Sequence, residues 1–373
     1  MARRGHGEGS IYQRKDGRWT AALTLEDHRR KTFYGKTRKE VQDKLNAALH
    51  EQKQGMLSTG PQQTLRVYLE RWLEQVCKPT MRPNTYQTYR FNLSHHVIPS
   101  LGHIKLQKLT PEQVQAFYVQ KQHEGLKPRS IAVVHMALSS ALDNAVKWGL
   151  VARNVAKLTT LPRIERYEAQ ILTVEQAYKL LQVARGSRIE VLLLVALTTG
   201  MRRGELLALR WGDIDFEQCM LYVRRTVSPI VGAGYVEGDP KTKAGRRKIA
   251  LPDVVIEALK EHRERQEKAR IEAGEKWRDL GIVFCNLYGD FYDPGGMRRK
   301  FKKLLRDAGL PDMRFHDLRH SAAMVLAAAQ VDLKTAQERL GHGSIATTAD
   351  IYMQVTMKMQ QEAVKKLNEF FKR

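Results

Sequence analysis

The chain has 373 residues, 42% of them hydrophobic, enough for two or three domains of ~150 residues with proper cores, which excludes a wholly disordered or fibrous protein. Lys and Arg number 63 against 40 Asp and Glu, a formal net charge of +23, so the expected partner is a polyanion, and nucleic acid and an anionic membrane surface attract that excess alike. Cys77, Cys219 and Cys285 are widely spaced and form no Cys-x-x-Cys pair, as in a reduced intracellular protein, and no apolar run predicts a membrane span or a signal peptide. Cytoplasmic nucleic acid is therefore the favoured partner.

In chain order, SIYQR, RWTAALTL and RKTFYG are short β-type runs parted by Lys15-Asp16-Gly17 and Glu26-Asp27-His28, which predicts a three-stranded sheet. Thr37-Arg38-Lys39-Glu40 then fits a capping box, and Val41, Leu45 and Leu49 recur at helical spacing until Gly55. The first fifty residues hold twelve Lys or Arg and six Asp or Glu. Arg14, Lys15, Arg18, Arg29, Arg30 and Lys31 either form a solvated surface or contact DNA phosphates and bases.

After a candidate linker at 57–63 (LSTGPQQ), residues 64–157 read as four amphipathic helices. The first is capped by Thr64 and turns Leu65, Tyr68, Leu69, Trp72 and Val76 inward. The second opens at Pro83 with Tyr86, Tyr89, Leu93 and Val97 inward, and Pro99 is expected to close it. Thr110-Pro111-Glu112-Gln113 starts the third, which ends at Gly125. Pro128 or Arg129 starts the fourth, which carries Ile131, Val134, Leu138, Leu142 and Val146 to Gly149. Lys127 and Arg129 are exposed candidates for phosphate contact. Residues 158–169 carry a proline and charges without periodicity and read as a linker. Thr173-Val174-Glu175-Gln176 is another capping box, followed by a buried helix from Ile189 to Thr198 and strands at 219–227 and 246–252 in a mostly helical remainder.

Polar residues in this last region stand where burial alone would not choose them. Arg202 lies at a helix break after Gly200, where packed segments can fix its guanidinium for a phosphate or for a structural ion pair. The turn-rich GDPKTKAGRRK (238–248) puts Lys241 or Lys243 on an exposed β-hairpin loop. Such a lysine is an ordinary basic residue or one that gives a proton to a leaving oxygen on DNA. His316 and Arg319 share a helix face at i, i+3. His316 and His320 have the i, i+4 spacing of zinc-binding helices, but Asp317 stands where a metalloprotease has Glu and a third ligand is missing, so no metal is expected. His342 follows Gly341, and Tyr352, ten residues on, would by itself be assigned to core packing.

As a set, TTGMRRGELLALRW, HDLRHS and LGHGSIATTADIY, in that order within one domain, resemble the tyrosine recombinase (phage integrase) family. The resemblance covers the whole chain and is strongest in its last part. It implies a multidomain α+β fold: an arm-type DNA-binding domain at 1–56 (three-stranded sheet plus helix), a helical core-site-binding domain at 64–157, and a mostly α catalytic domain with a small antiparallel sheet at 170–373. It implies that Arg202, Arg319 and His342 stabilise the reacting phosphate, that Tyr352 is the nucleophile and His316 accepts or shuttles its proton, that Glu205 supports Arg202, and that Lys241, with Lys243 as the fallback, is the general acid. The expected activity is metal- and cofactor-independent site-specific recombination through a 3′-phosphotyrosine and a Holliday junction, which integrates or excises a prophage or other mobile element. The expected partners are core and arm attachment sites, a homotetramer on DNA, and an excisionase or host DNA-bending protein in the bacterial cytoplasm. A type IB topoisomerase would lack the N-terminal module, and a catalytically silent regulator would lack at least one of the six residues.

Overall fold

The computed structural model describes residues 9–24, 30–53, 62–165, 167, 169–230, 234–240, 243–341, 343–345, 349, 352–353, 361, 364, 367–368 and 370–371. It divides into two compact units, 1–166 and 167–373. Among the described residues no helix is long and apolar enough to cross a membrane.

In the first unit, β1 (Ser10–Gln13), β2 (Trp19–Thr24) and β3 (Arg30–Gly35) form an antiparallel sheet in that order, followed by α1 (Arg38–Lys53). The Thr37 hydroxyl accepts from the Glu40 N–H, and Glu40 reaches back to the N–H of Lys36. Strand alternation puts Ile11, Ala21 and Phe33 in one cross-strand row, packed with Leu23, Val41, Leu45 and Ala48. The next row, Tyr12, Thr20 and Tyr34, lies on the opposite face.

The helical body contains α2 (Leu65–Trp72), α3 (Pro83–Asn92), α4 (Pro111–His123) and α5 (Pro128–Lys147) around a core that includes Tyr68, Trp72, Leu93, Phe117, Tyr118 and Leu138. Thr110 and Gln113 form a full capping box, with bonds of 3.3 and 3.0 Å. Pro99 does not close the second helix. A widened π turn, Leu93–Val97, precedes Ile98–Leu101, and the Ile98 N–H bonds five residues back to Leu93. Leu73–Cys77 does the same before Pro79, where the Lys78 N–H bonds to Leu73. The wider turn accommodates a ring that would collide with the carbonyl four residues earlier, so the chain passes both prolines still helical.

The second unit contains α6 (Val174–Val183), α7 (Glu190–Thr199), α8 (Arg203–Leu207), β4 (Ile214–Asp215), β5 (Met220–Val223), β6 (Thr226–Ile230), β7 (Gly234–Gly238), β8 (Arg247–Ala250), α9 (Asp253–Ala273), α10 (Pro294–Asp307), α11 (Leu318–Ala328) and α12 (Leu333–Leu340). Helix α7 is apolar on all sides and runs through the core, which fits its sequence EVLLLVALTT. Two small sheets flank the helices, one in the order β4-β5-β8 and one a β6-β7 hairpin. The run 219–227 is therefore two strands in different sheets. The segment holding residues 241 and 243 joins β7 of one sheet to β8 of the other, so it is not the loop of a simple hairpin.

Candidate active site

Helix α7 ends where Gly200 turns left-handed at φ +62°, a conformation that suits glycine. A Cβ there would lie 2.2 Å from Leu340 Cδ2, so the end of α7 is pressed against α12. Two residues later Arg202 leads into α8. The Glu205 carboxylate, 3% exposed, takes the Arg202 backbone N–H at 3.0 Å and its guanidinium at 2.8 Å. The other end of that guanidinium donates to the Gly341 carbonyl at 3.2 Å, just past α12. Arg202 is thus fixed between two segments 139 residues apart in the chain.

The HDLRHS box supplies the facing wall. Phe315–Asp317 is a 3-10 turn that runs directly into α11. Arg319, 4% exposed, donates to the Gly200 carbonyl at 2.8 Å. Burial first, then the charges of Arg202 and Arg247, push its pKa down to about 9, so it stays a cation at neutral pH. Burial, then Arg319, lowers His316 to about 4, so its imidazole is neutral there. Asp317 is fully buried. It holds Arg314 at 2.8 Å and accepts the Tyr167 hydroxyl at 2.7 Å, while the Arg314 guanidinium lies 3.4 Å from the Tyr167 ring centroid. The Leu172 N–H donates to Ser321 Oγ at 3.0 Å, a second bond from the start of the unit to this box. The rings of His316 and His320 are 6.2 Å apart and perpendicular, and among the described residues no group of three His, Cys, Asp or Glu could hold a metal.

Sequence reasoning missed Arg247. Its side chain is 6% exposed and donates to Glu205 at 3.1 Å, to the Arg339 carbonyl at 2.7 Å and to the Gly245 carbonyl at 3.2 Å. Burial works against charge on Glu205, but Arg247 and the bonds from Arg202 outweigh it and hold the carboxyl below its ordinary value. One carboxylate thus faces Arg202, Arg247 and Arg319, an excess of positive charge that is costly to hold without an anion.

Tyr352 belongs to a different set of contacts. Its ring packs on the cluster of Ala322, Leu326, Ala336 and Leu340, and its hydroxyl donates to the Val331 carbonyl at 3.4 Å. Burial and the nearby Asp332 raise its pKa. Lys241 and His342 lie outside the described residues, and Lys243 is described only as backbone in the 3-10 turn Lys243–Gly245.

Of the expected DNA contacts, Arg14, Lys15, Arg18, Arg30, Lys127 and Arg129 are exposed, and Arg29 lies outside the described residues. Lys31 is half-buried and pairs with Leu23, on the row parity that faces α1, and its amine is 6.0 Å from the Phe33 ring. Helix α10 carries a further set the sequence reading passed over. Met297, Phe301, Leu304 and Leu305 are buried, while Arg298, Arg299, Lys300, Lys303 and Arg306 are exposed. The amphipathic run MRRKFKKLLR was the available signal.

The phage integrase family matches residues 170–359, and its N-terminal SAM-like domain matches residues 64–122. The chain belongs to the phage integrase family. A XerC-like tyrosine recombinase of Caldanaerobacter subterraneus is 33% identical, covering 92% of this chain and 92% of its own length. An integrase of Streptomyces ambofaciens is 30% identical over 100% of this chain and 98% of its own. Among solved structures, the Tn1549 transposon integrase in complex with transposon right end DNA has the same fold at a TM-score of 0.64 and 19% identity, covering 80% of this chain and 99% of its own. A lambda integrase tetramer bound to a Holliday junction matches at 0.59 and 21%, covering 94% and 96%. This integrase is thus a tyrosine recombinase, an enzyme of site-specific DNA cleavage and strand transfer.

Proposed function

We propose that this integrase joins and releases a prophage or other mobile element by transesterification at Tyr352. The observation that carries this reading is the excess of guanidinium around the buried Glu205, with Arg247 and Arg319 buried and Arg202 half-exposed. In-line attack on a phosphodiester gathers charge on its non-bridging oxygens, and fixed bidentate donors stabilise that charge without reorganising. Arg202 and Arg319 are assigned to those oxygens, with His342 adding a donor. The Tyr352 oxygen forms a bond to phosphorus as the bond to the 5′ oxygen breaks. Neutral His316 accepts the phenolic proton, and a bound phosphate raises its affinity for that proton. Lys241, with Lys243 as the alternative, protonates the leaving 5′ oxygen. The products are a 3′-phosphotyrosine and a 5′ hydroxyl, and the preserved ester bond energy lets the partner strand reverse the step.

We assign arm-site binding to 1–56, core-site binding to 64–157 and chemistry to 170–373, acting as a tetramer on two core sites through a Holliday junction. The exposed Tyr12, Tyr34, Arg14 and Arg30 support the first assignment. An excisionase or host DNA-bending protein sets the direction, in the cytoplasm of a bacterial host.

The test is covalent trapping. A duplex that the Tyr352→Phe variant enriches from a randomised pool is nicked and incubated with each protein in EDTA, and a protease-sensitive adduct is sought on a denaturing gel. An adduct from the wild type alone supports the reading. Adducts from both proteins would name the wrong tyrosine, and none from either, with binding intact, would reject cleavage.

A further inference from the structure

We propose that Arg247 is a positioning residue for strand cleavage, clamping the Arg202–Glu205 pair, the β7–β8 connection and the end of α12 into one unit. The inference rests on the reading above, because it concerns how the phosphate-binding guanidinium of Arg202 is aimed. Arg247 opens β8, directly after the connection that holds residues 241 and 243. Its three bonds go to three separate places: the carboxylate that grips Arg202, the Arg339 carbonyl in the last turn of α12, and the Gly245 carbonyl in its own loop. The Arg202 guanidinium closes the circuit through Gly341, two residues after Arg339. Gly341 is left-handed at φ +69°, and a Cβ on it would stand 2.8 Å from Arg247 Nη1 and 2.9 Å from the Ala244 carbonyl. The two backbones therefore meet at a glycine with the guanidinium wedged beside them.

A planar fork can serve three acceptors in fixed directions, whereas a lysine ammonium keeps the charge and loses the fork. Without the clamp Arg202 retains Glu205 but not its aim, and a misplacement of ~1 Å costs roughly a hundredfold in rate. Arg247 itself touches no reacting atom in this scheme.

The test compares wild type with Arg247→Lys and Arg247→Gln on the nicked, pool-selected duplex. Each protein is given a normal scissile phosphate or a methylphosphonate, in which a methyl group replaces one charged oxygen. The expected result is unchanged DNA affinity, adduct formation slowed roughly a hundredfold on the phosphate by both variants, and a clearly smaller deficit on the methylphosphonate, where less charge needs aimed guanidinium. Damage to folding lowers the active fraction and slows both substrates by one factor. Equal deficits on the two substrates, full rescue by lysine, or wild-type rates in Arg247→Gln would overturn the proposal. If one variant melts below the assay temperature, the other decides. A wild type that forms no adduct rejects the cleavage reading instead, so the two failures are distinguishable.

Discussion

A buried residue in this integrase is defined by which charge it faces. Burial is the main reason His316 stays neutral, and repulsion from Arg319, His320 and Arg202 adds to it, with Asp317 the neighbouring carboxylate that opposes them. Its pKa is lowered from the ordinary 6.5 to about 4, so between those values the unfolded chain takes up a proton that the folded chain refuses. Stability is therefore fully present above pH 6.5 and is lost as pH falls toward 4. Chemical denaturation across this window should show a shallower loss for His316→Gln than for wild type, and parallel curves would contradict the assignment. Such a shift was not legible in HDLRHS, although Arg319 and His320 contribute to it, because its largest cause is burial, which only tertiary packing decides. Asp317 shows the same limit. It reads as a weak substitute for a metalloprotease glutamate, whereas the fold buries it to hold Arg314 and Tyr167.

At the scale of elements, local chemistry was the readable part. The capping boxes at Thr110 and Thr173 form with both reciprocal bonds, because cap and partner are three residues apart and need nothing from the rest of the chain. Pro99 misled for a related reason: the stop signal is local, but the π turn that lets the helix continue is held by packing of Leu93 and Val97 in the core. The strands expected at 219–227 and 246–252 do pair antiparallel, as β5 with β8, but a second hairpin, β6-β7, is inserted between them, so the segment carrying Lys241 follows β7 rather than β5. Gly341 joins α12 to the active site, and its left-handed backbone costs about 1–2 kcal/mol for an L side chain. Gly341→Ala should therefore melt earlier and lose most adduct formation. Gly343→Ala, where a Cβ meets nothing within 4 Å, should do neither. Equal losses in both would remove the argument from close approach.

For the whole molecule, the net charge of +23 supplies attraction to DNA without sequence preference. If six to ten phosphates are neutralised, affinity should fall by roughly 10³–10⁵ between 50 and 200 mM salt, while adduct formation on saturated DNA changes little. A flat binding curve measured by fluorescence anisotropy would argue against phosphate contacts as the main source of affinity. The segment after Tyr352 carries apolar Val355, Met359, Val364, Leu367 and Phe370 or Phe371, and we propose that it packs against a neighbouring subunit rather than on its own domain. Val364, Leu367, Phe370 and Phe371 are all more than half exposed, whereas Val355 and Met359 lie outside the described residues. Four large apolar side chains left in water fit a surface for a neighbouring subunit. Removing residues 358–373 should reduce tetramer formation on DNA, read by analytical ultracentrifugation, or alter cleavage. An unaltered tetramer with normal strand exchange would place that segment outside the assembly.

The sequence by itself determined the first sheet and most helix starts, the polyanion partner and the order of Arg202, His316, Arg319, His342 and Tyr352 along the chain, because spacing, caps and residue chemistry are properties of short windows. Only the tertiary structure decided that Glu205 is shared by two arginines, that Arg319 is anchored on the carbonyl of Gly200, and that the Tyr352 hydroxyl rests on Val331. Arg247 reads in sequence as one cation among 63, and it becomes distinct only when folding removes water from its guanidinium and leaves Glu205 and two carbonyls to replace it.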